Sequence, residues 1–215
     1  MRALLACLLV SRTAHAGIEG KGVHVGATFM GLSSIDENAP DSQKANPDPG
    51  WLVGAFVTFR QSPTFAIQLE ADVSDKRYFV EHCAPSCMNT GKISLWYFEV
   101  PGLLRLDLLP GRAKFHLDAG AELAIPLGGT RSFDAGGADL QFSELLPMNF
   151  GGVIGAGLEI PVGVGAITLD VRYKHWVLDV TGTTTSGEPT EGLGGTNKHV
   201  SSSHQIALVA GYAFP

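Results

Sequence analysis

Apolar and polar residues alternate one by one along most of the chain, and a helical period is almost absent. The clearest segment places apolar residues at every second position from Phe115 to Ile125, with polar or small residues between them. Strict alternation indicates strands with one apolar and one polar face. The pattern recurs eight times, in segments that start near Val23, Trp51, Phe65, Trp96, Phe115, Phe150, Ile167 and Ile206.

The segments that join these predicted strands alternate between long and short. Long connections are predicted over roughly 33–50, about a dozen residues around the cysteines at 83 and 87, 128–147 and 182–201. Short turns are predicted at 62–64, 110–112 and 161–165. This alternation is typical of bacterial outer-membrane barrels, whose short turns face the periplasm. The sequence therefore predicts an all-β fold, an eight-stranded antiparallel up-and-down transmembrane β-barrel over residues 17–215.

Three features favour a bilayer, and not water, around the apolar face. The predicted strands reach the length of about nine to eleven residues that crosses a bilayer at a tilt, which is longer than strands of soluble sheets. The apolar faces are nearly free of charge along their central stretches, as surrounding hydrocarbon requires. Aromatic residues near the strand ends predict a membrane girdle made of Phe29, Trp51, Phe59, Phe65, Trp96, Phe115, Tyr212 and Phe214.

The polar face of each predicted strand then lines the lumen. Eight strands enclose an interior that side chains fill, so the charged residues are predicted to pair across the barrel and not to line a wide pore. Glycines on this face leave room for such a network. The predicted lumen network consists of Arg60, Glu70, Asp72, Glu99, Arg105, Asp107, Asp118, Glu122, Glu159, Asp170, Arg172 and Lys174.

The first sixteen residues resemble an export signal. Arg2 precedes an apolar run over 3–10, and the segment ends in Ala14-His15-Ala16, the pattern of a cleaved secretory signal peptide. An exported chain meets an oxidising compartment, so Cys83 and Cys87 are predicted to form a disulfide. The alternative is a metal site that uses both thiols with His82.

Composition narrows the set of partners. The net charge is −6, with Lys and Arg scattered along the chain, so no basic surface for nucleic acid is predicted. No cofactor is predicted. Acidic stretches such as Asp36-Glu37 and Asp41 argue against adhesion to anionic lipid headgroups. The predicted partners are outer-membrane lipid and an unidentified extracellular or periplasmic protein, with the chain as a monomer in a Gram-negative outer membrane.

Two hairpins carry a resemblance to a known family. Residues 96–128 and 150–173 resemble the corresponding hairpins of PorT-like outer-membrane β-barrel domains, small barrels of the OmpA and OmpX type. The matching positions are Glu99, Pro101, Gly120, Gly155, Gly157, Arg172 and Tyr173. The resemblance implies an integral outer-membrane barrel and implies nothing about activity.

The interpretation that follows is a non-catalytic barrel with a structural or surface-binding role, exerted through its long extracellular loops. Carboxylates close in sequence, Glu70 with Asp72 and Asp118 with Glu122, are interpreted as structural and not catalytic. A soluble periplasmic lipocalin-like binder and a narrow ion conductor stay open as alternatives. A third alternative is a lipid-modifying hydrolase that would use Ser201, Ser202 or Ser203 with His199 or His204.

Overall fold

The computed structural model describes residues 17–33, 42–83, 87–108, 113–133, 140–142, 148–176 and 202–215. These residues form nine strands: β1 (Gly17–Ser33), β2 (Ser42–Ser62), β3 (Phe65–Cys83), β4 (Cys87–Asp107), β5 (Lys114–Phe133), β6 (Leu140–Phe142), β7 (Asn149–Val162), β8 (Gly165–Trp176) and β9 (Ser202–Phe214). The described residues contain no helix long and apolar enough to cross a membrane.

Eight of the nine strands close into an antiparallel barrel. Each pairs with its neighbour in the order β1, β2, β3, β4, β5, β7, β8 and β9, and β9 pairs back with β1. Closure satisfies the backbone of every strand on both sides, as a bilayer requires. The short strand β6 pairs with β5 outside this ring. The predicted fold class is therefore confirmed.

Three of the predicted long connections are wrong in extent. The chain around the cysteines is not a loop of a dozen residues, because β3 continues to Cys83 and β4 begins at Cys87. Likewise, β2 begins at Ser42 and β5 continues to Phe133. In these stretches the backbone pairing of β2, β3, β4 and β5 continues beyond the band of apolar outward-facing residues, which we call the apolar belt. A strand beyond this belt does not need an apolar face. The alternation that marks a strand in sequence therefore ends before the strand does.

The two faces of the barrel follow the alternation. On β8, every second residue from Ala166 to Trp176 is buried and the residues between them are exposed. The predicted girdle residues lie at outward-facing positions: Phe29, Trp51, Trp96 and Phe214 are exposed, and Phe59, Phe65, Phe115 and Tyr212 are half-buried. Their role at the membrane interface stays a prediction.

The short turns and both ends of the described chain lie at one end of the barrel. Gly17 pairs with Arg60, close to the turn that joins β2 to β3, and Lys21 pairs with Phe214. The turn that joins β7 to β8 contains Gly163 with φ of 62°, a left-handed conformation that favours glycine. In outer-membrane barrels this end faces the periplasm.

Candidate functional site

Inward-facing polar side chains fill the barrel and can be divided into three layers. The lower layer lies near the short turns and contains Arg60, Arg105, Asp107, Lys114 and Glu159. The middle layer contains His24, Gln68, Glu70, Asp72, His116, Asp118, Asp170 and Arg172. The upper layer contains Ser74, Lys76, Tyr97, Glu99, Glu122, Lys174 and Trp176.

Two lysines of the upper layer converge on one carboxylate. Lys174 Nζ lies 2.6 Å from Glu99 Oε2 and 2.6 Å from Glu122 Oε2. Lys76 Nζ lies 2.8 Å from Glu99 Oε1, and the Ser74 hydroxyl donates a 2.7 Å hydrogen bond to the same oxygen. These contacts join β3, β4, β5 and β8 across the barrel. The charges are buried, so each needs the opposite charge beside it.

Aromatic rings complete the upper layer. Lys76 Nζ lies 3.8 Å from the ring centroid of Trp176 and 4.3 Å from that of Tyr97. Both distances lie within the range of a cation–π contact. Trp176 is 1% exposed and Tyr97 is 6% exposed, so both rings are packed inside the lumen. An ion pair and two rings thus occupy the cross-section at this height.

In the middle layer, one arginine spans the lumen from β8 to β3. Arg172 donates two hydrogen bonds to Glu70, of 2.6 Å from Nη1 to Oε2 and 3.0 Å from Nη2 to Oε1. The amide of Gln68 donates a further 2.6 Å bond to Glu70 Oε1. Both oxygens of this carboxylate therefore have partners. Paired N–H donors of this kind are the strongest arrangement available to an arginine and a carboxylate.

Two buried histidine–aspartate pairs complete the middle layer. His24 Nε2 lies 2.8 Å from Asp72 Oδ1, and His116 Nε2 lies 2.7 Å from Asp170 Oδ1. In each pair a glycine stands between the two residues in the strand register. The first row is His24, Gly54 and Asp72 on β1, β2 and β3; the second row is His116, Gly157 and Asp170 on β5, β7 and β8.

The glycine of each row makes room for its pair. A Cβ at Gly54 would overlap Asp72 Oδ1, and a Cβ at Gly157 would overlap both Asp170 Oδ1 and His116 Nε2. A side chain on the middle strand of either row would therefore separate the histidine from its aspartate. Small residues in these two places are a packing requirement of the pairs.

The lower layer is a chain of ion pairs at the periplasmic mouth. Arg60 Nη2 lies 2.7 Å from Asp107 Oδ2, and Arg105 lies 3.0 Å from Asp107 Oδ1 and 2.5 Å from Glu159 Oε2. Lys114 Nζ lies 3.3 Å from Glu159 Oε1. Three cations therefore share two carboxylates here.

The structure places all twelve residues of the predicted lumen network in these layers, each in contact with an opposite charge or with a histidine. Sequence reasoning missed Lys76, because the predicted third strand ended at Ser74. Continuing the period by one step would have placed Lys76 inside. His24 and His116 were on predicted polar faces, but nothing in the sequence paired them with Asp72 and Asp170.

Other predicted residues lie away from the lumen. His204 faces outward and stacks on Tyr173, with ring centroids 6.3 Å apart, and His199 and Ser201 lie outside the described residues. Cys83 and Cys87 are paired in the backbone register at the tip of β3 and β4, and the disulfide stays a prediction. The predicted signal peptide, residues 1–16, lies outside the described residues.

The barrel geometry agrees with a family match. Residues 20–179 match the outer membrane protein β-barrel domain. The chain belongs to this family. It is therefore an integral outer-membrane β-barrel, located in the outer membrane of a Gram-negative bacterium. The narrower resemblance to PorT-like barrels stays a prediction. No curated protein sequence matches the chain.

Several solved outer-membrane proteins have similar structures at low sequence identity. OprG from Pseudomonas aeruginosa is 13% identical with a TM-score of 0.47, covering 93% of this chain and 98% of its own. Ail from Yersinia pestis, solved with the heparin analogue sucrose octasulfate, is 14% identical with a TM-score of 0.45, covering 92% and 100%. Neisserial surface protein A is 18% identical with a TM-score of 0.44, covering 91% and 97%.

Proposed function

We propose that this outer-membrane barrel does not conduct ions and that it binds a cationic partner at its extracellular end. The observation that carries the proposal is the distribution of charge. Each charged side chain of the lumen has a partner inside the barrel, and the segments at the opposite end from the short turns carry a larger excess of acidic residues. The barrel thus acts as a rigid base for an acidic surface.

The upper layer supports a non-conducting lumen. Lys174 bridges Glu99 and Glu122, while Lys76 bridges Glu99 and the ring of Trp176. An ion that passed through would have to break these buried contacts, and separating a buried ion pair is costly. We expect recordings across planar bilayers to show no discrete conductance steps. Steps of a stable size from the pure protein would contradict this part of the proposal.

A wall built from β2, β3, β4 and β5 extends beyond the apolar belt. Past Trp51 and Trp96, the outward positions carry polar residues: Lys92 Nζ lies 2.9 Å from Asp48 Oδ2. From Trp96 to the start of β4 the strand continues for nine residues, roughly 30 Å along its axis at about 3.3 Å per residue. Outward ion pairs of this kind do not fit hydrocarbon, so this wall supplies a surface outside the membrane.

The strand ends and the segments that connect them at this end of the barrel are together acidic. Residues 34–50, 78–92, 128–148 and 177–201 together have a net charge of −7, whereas the whole chain has −6. Their acidic residues are Asp36, Glu37, Asp41, Asp48, Glu81, Asp134, Asp139, Glu144, Asp179, Glu188 and Glu191, and their basic residues are Lys44, Lys92, Arg131 and Lys198. Like-charge repulsion disfavours an anionic partner, and complementarity favours a cationic one.

Peptide binding tests this surface. The folded protein in nanodiscs of zwitterionic phosphatidylcholine is titrated with a fluorescent oligoarginine peptide and with an oligoglutamate peptide of equal length. We expect the oligoarginine peptide to bind, the oligoglutamate peptide not to bind, and added salt to weaken the binding because salt screens exposed charges.

A matched pair of triple variants locates the binding. Asp36→Asn with Glu37→Gln and Asp41→Asn removes three charges from the first long segment, and we expect weaker binding of oligoarginine. The control replaces Ser34, Asn38 and Ser42 of the same segment by alanine, and we expect it to bind as the wild type does. Equal binding of both peptides, or equal losses in both triple variants, would exclude an acidic binding surface.

A further inference from the structure

The middle layer carries an excess of negative charge. Among the described inward-facing residues, the lumen holds eight carboxylates and six lysine or arginine side chains, a balance of −2 when the histidines are neutral. The upper layer balances its two lysines against two glutamates, and the lower layer has one surplus positive charge. The middle layer has four carboxylates and one arginine, a balance of −3. Buried charge of one sign is costly unless a counter-charge is present.

This excess is concentrated in a cluster on β5 and β8. His116, Asp118 and Asp170 offer one nitrogen and two carboxylate oxygens, all within 4.8 Å of one another. His116 Nε2 lies between the two acids, 2.7 Å from Asp170 Oδ1 and 3.5 Å from Asp118 Oδ2. His116 is 1% exposed, Asp118 is 5% exposed and Asp170 is 7% exposed. The donors therefore converge on one buried point.

Asp118 is buried beside the His116–Asp170 pair, and the pair itself does not account for this second carboxylate. Among the described residues its carboxylate accepts no hydrogen bond; it lies 3.5 Å from His116 Nε2 and interacts with Arg172 and Arg105 only electrostatically. A buried carboxylate without a hydrogen-bond donor is rare, because burial without compensation is costly. Gly157 lets His116 Nε2 and Asp170 Oδ1 come together at the same point, since a Cβ there would overlap both atoms. A carboxylate without a hydrogen-bond donor therefore lies beside two further ligand atoms.

The similar cluster on the opposite wall also contains an unpartnered carboxylate oxygen, Asp72 Oδ2, and a glycine, Gly54, but it differs in its other acid. His24, Glu70 and Asp72 also lie within 4.8 Å of one another. Both oxygens of Glu70, however, accept hydrogen bonds from Arg172, and Gln68 adds a third. An ion bound there would have to compete with a guanidinium for its glutamate ligand. The glutamate of this cluster is therefore already paired with a cation of the protein, which leaves one uncompensated carboxylate, Asp72.

We propose that His116, Asp118 and Asp170 bind one divalent transition-metal ion of the zinc type inside the barrel. One imidazole nitrogen with two carboxylate oxygens is a ligand set that zinc accepts. The ion binds Nε2, and the proton of the imidazole moves to Nδ1, an atom without a hydrogen-bond partner among the described residues. Two added positive charges bring the balance of the lumen from −2 to zero.

The route of the ion determines the experiment. The cavity at the periplasmic mouth, about 220 Å³ in volume, is lined by three cations, Arg60, Arg105 and Lys114, and by one acid, Glu159, so its net positive charge repels a cation. Loading is therefore expected during folding. The chain is refolded from urea into detergent micelles with Zn²⁺, and separately with Co²⁺, and free metal is then removed. We expect one Zn²⁺ per folded chain by elemental analysis, and a visible Co²⁺ absorption band typical of mixed nitrogen and oxygen ligands.

Paired variants distinguish the two clusters. Asp118→Asn and His116→Gln remove ligands of the proposed site, and we expect the metal content to fall to background. Asp72→Asn and His24→Gln make equivalent changes in the opposite cluster, and we expect them to retain the metal. Folding is checked in each case by the difference in gel mobility between unheated and boiled samples. If Asp118→Asn does not fold, Asp118→Ala replaces it, because it removes the ligand without adding an amide.

Three results would overturn the proposal. The first is a wild-type protein that folds without retaining Zn²⁺ or Co²⁺ above background. The second is retention of metal by folded Asp118→Asn and Asp118→Ala. The third is equal loss of metal in the Asp72→Asn control. The first result would mean that no bound metal ion compensates the negative balance of the lumen.

Discussion

The two histidine–glycine–aspartate rows lie on opposite walls of the barrel and share their architecture. The strands β5, β7 and β8 stand four places around the ring from β1, β2 and β3, so about half a turn separates the rows. Each row ends on a strand that carries Asp-Val and then a lysine four residues after the aspartate, at Lys76 and Lys174. Both lysines reach Glu99. The walls are therefore built alike up to this layer.

The rows differ in the residues around them. In the first row, His24 stacks on Phe56 with ring centroids 5.8 Å apart, and the neighbouring Glu70 is held by Arg172. In the second row, the neighbouring acid is Asp118, which accepts no hydrogen bond from the described residues. The same backbone pattern therefore places its histidine–aspartate pair in two different surroundings. Arg172, which crosses the lumen, donates hydrogen bonds to Glu70 beside the first row but lies 3.9 Å from Asp170 of the second row.

Replacing Arg172 by methionine should produce the largest difference between the walls. Arg172 stands on the strand of the second row, but its hydrogen bonds go to Glu70 beside the first row. Loss of one partner leaves a buried carboxylate uncompensated, and we expect a loss of about 3–5 kcal/mol in the free energy of unfolding. The measurement is urea unfolding in detergent micelles, followed by the mobility of unheated samples on gels.

The double variant Arg172→Met with Glu70→Gln is the matched control. It removes both charges, so we expect it to recover a large part of the stability lost in the single variant. If the single and double variants are equally unstable, Arg172 contributes through packing and not through its charge. The first row would then not be neutralised in the way that the hydrogen bonds indicate.

The glycines of the two rows give an intermediate effect. Gly54→Ala and Gly157→Ala each place a Cβ on the aspartate oxygen of their own row. Overpacking of a tight interior costs about 1–3 kcal/mol, and we expect losses of this size in the same urea unfolding. Gly152→Ala on β7 is the control, because no atom lies within 4 Å of a Cβ there. Equal stability of Gly157→Ala and Gly152→Ala would show that the second row relaxes without cost.

The fold could be predicted from the sequence because a membrane barrel requires alternation over whole strands. The run from Phe115 to Ile125 separates a face for lipid from a face for the lumen at every step. The same rule fails above the membrane. Asp75 faces outward but is 1% exposed, since Arg77 and Ser94 bind its two oxygens. Because Asp75 is charged, the predicted strand ended before it. Lys76, the next residue, was therefore not predicted to face the lumen.

The rows themselves could not be predicted, because alternation assigns a face and not a register. Asp72 pairs with Gly54 eighteen residues earlier, and His24 lies thirty residues before Gly54. Which residue of β3 stands opposite Gly54 depends on the turn after Ser62 and on the irregularity between Arg60 and Ser62. A shift by two residues keeps every side chain on its face and separates both partners. Contacts between distant strands therefore require the structure.

The smallest expected effect distinguishes the two histidines. Without metal, His24→Gln loses a hydrogen bond and the stacking on Phe56, whereas His116→Gln loses the hydrogen bond to Asp170. An aromatic pair contributes about 0.5–1.5 kcal/mol, so we expect His24→Gln to be the less stable variant by that margin when a chelator is present. Refolding with Zn²⁺ should stabilise His24→Gln and leave His116→Gln unchanged, because a ligand stabilises only a folded state that binds it. If Zn²⁺ leaves the stability of His24→Gln unchanged, the two rows differ in packing alone.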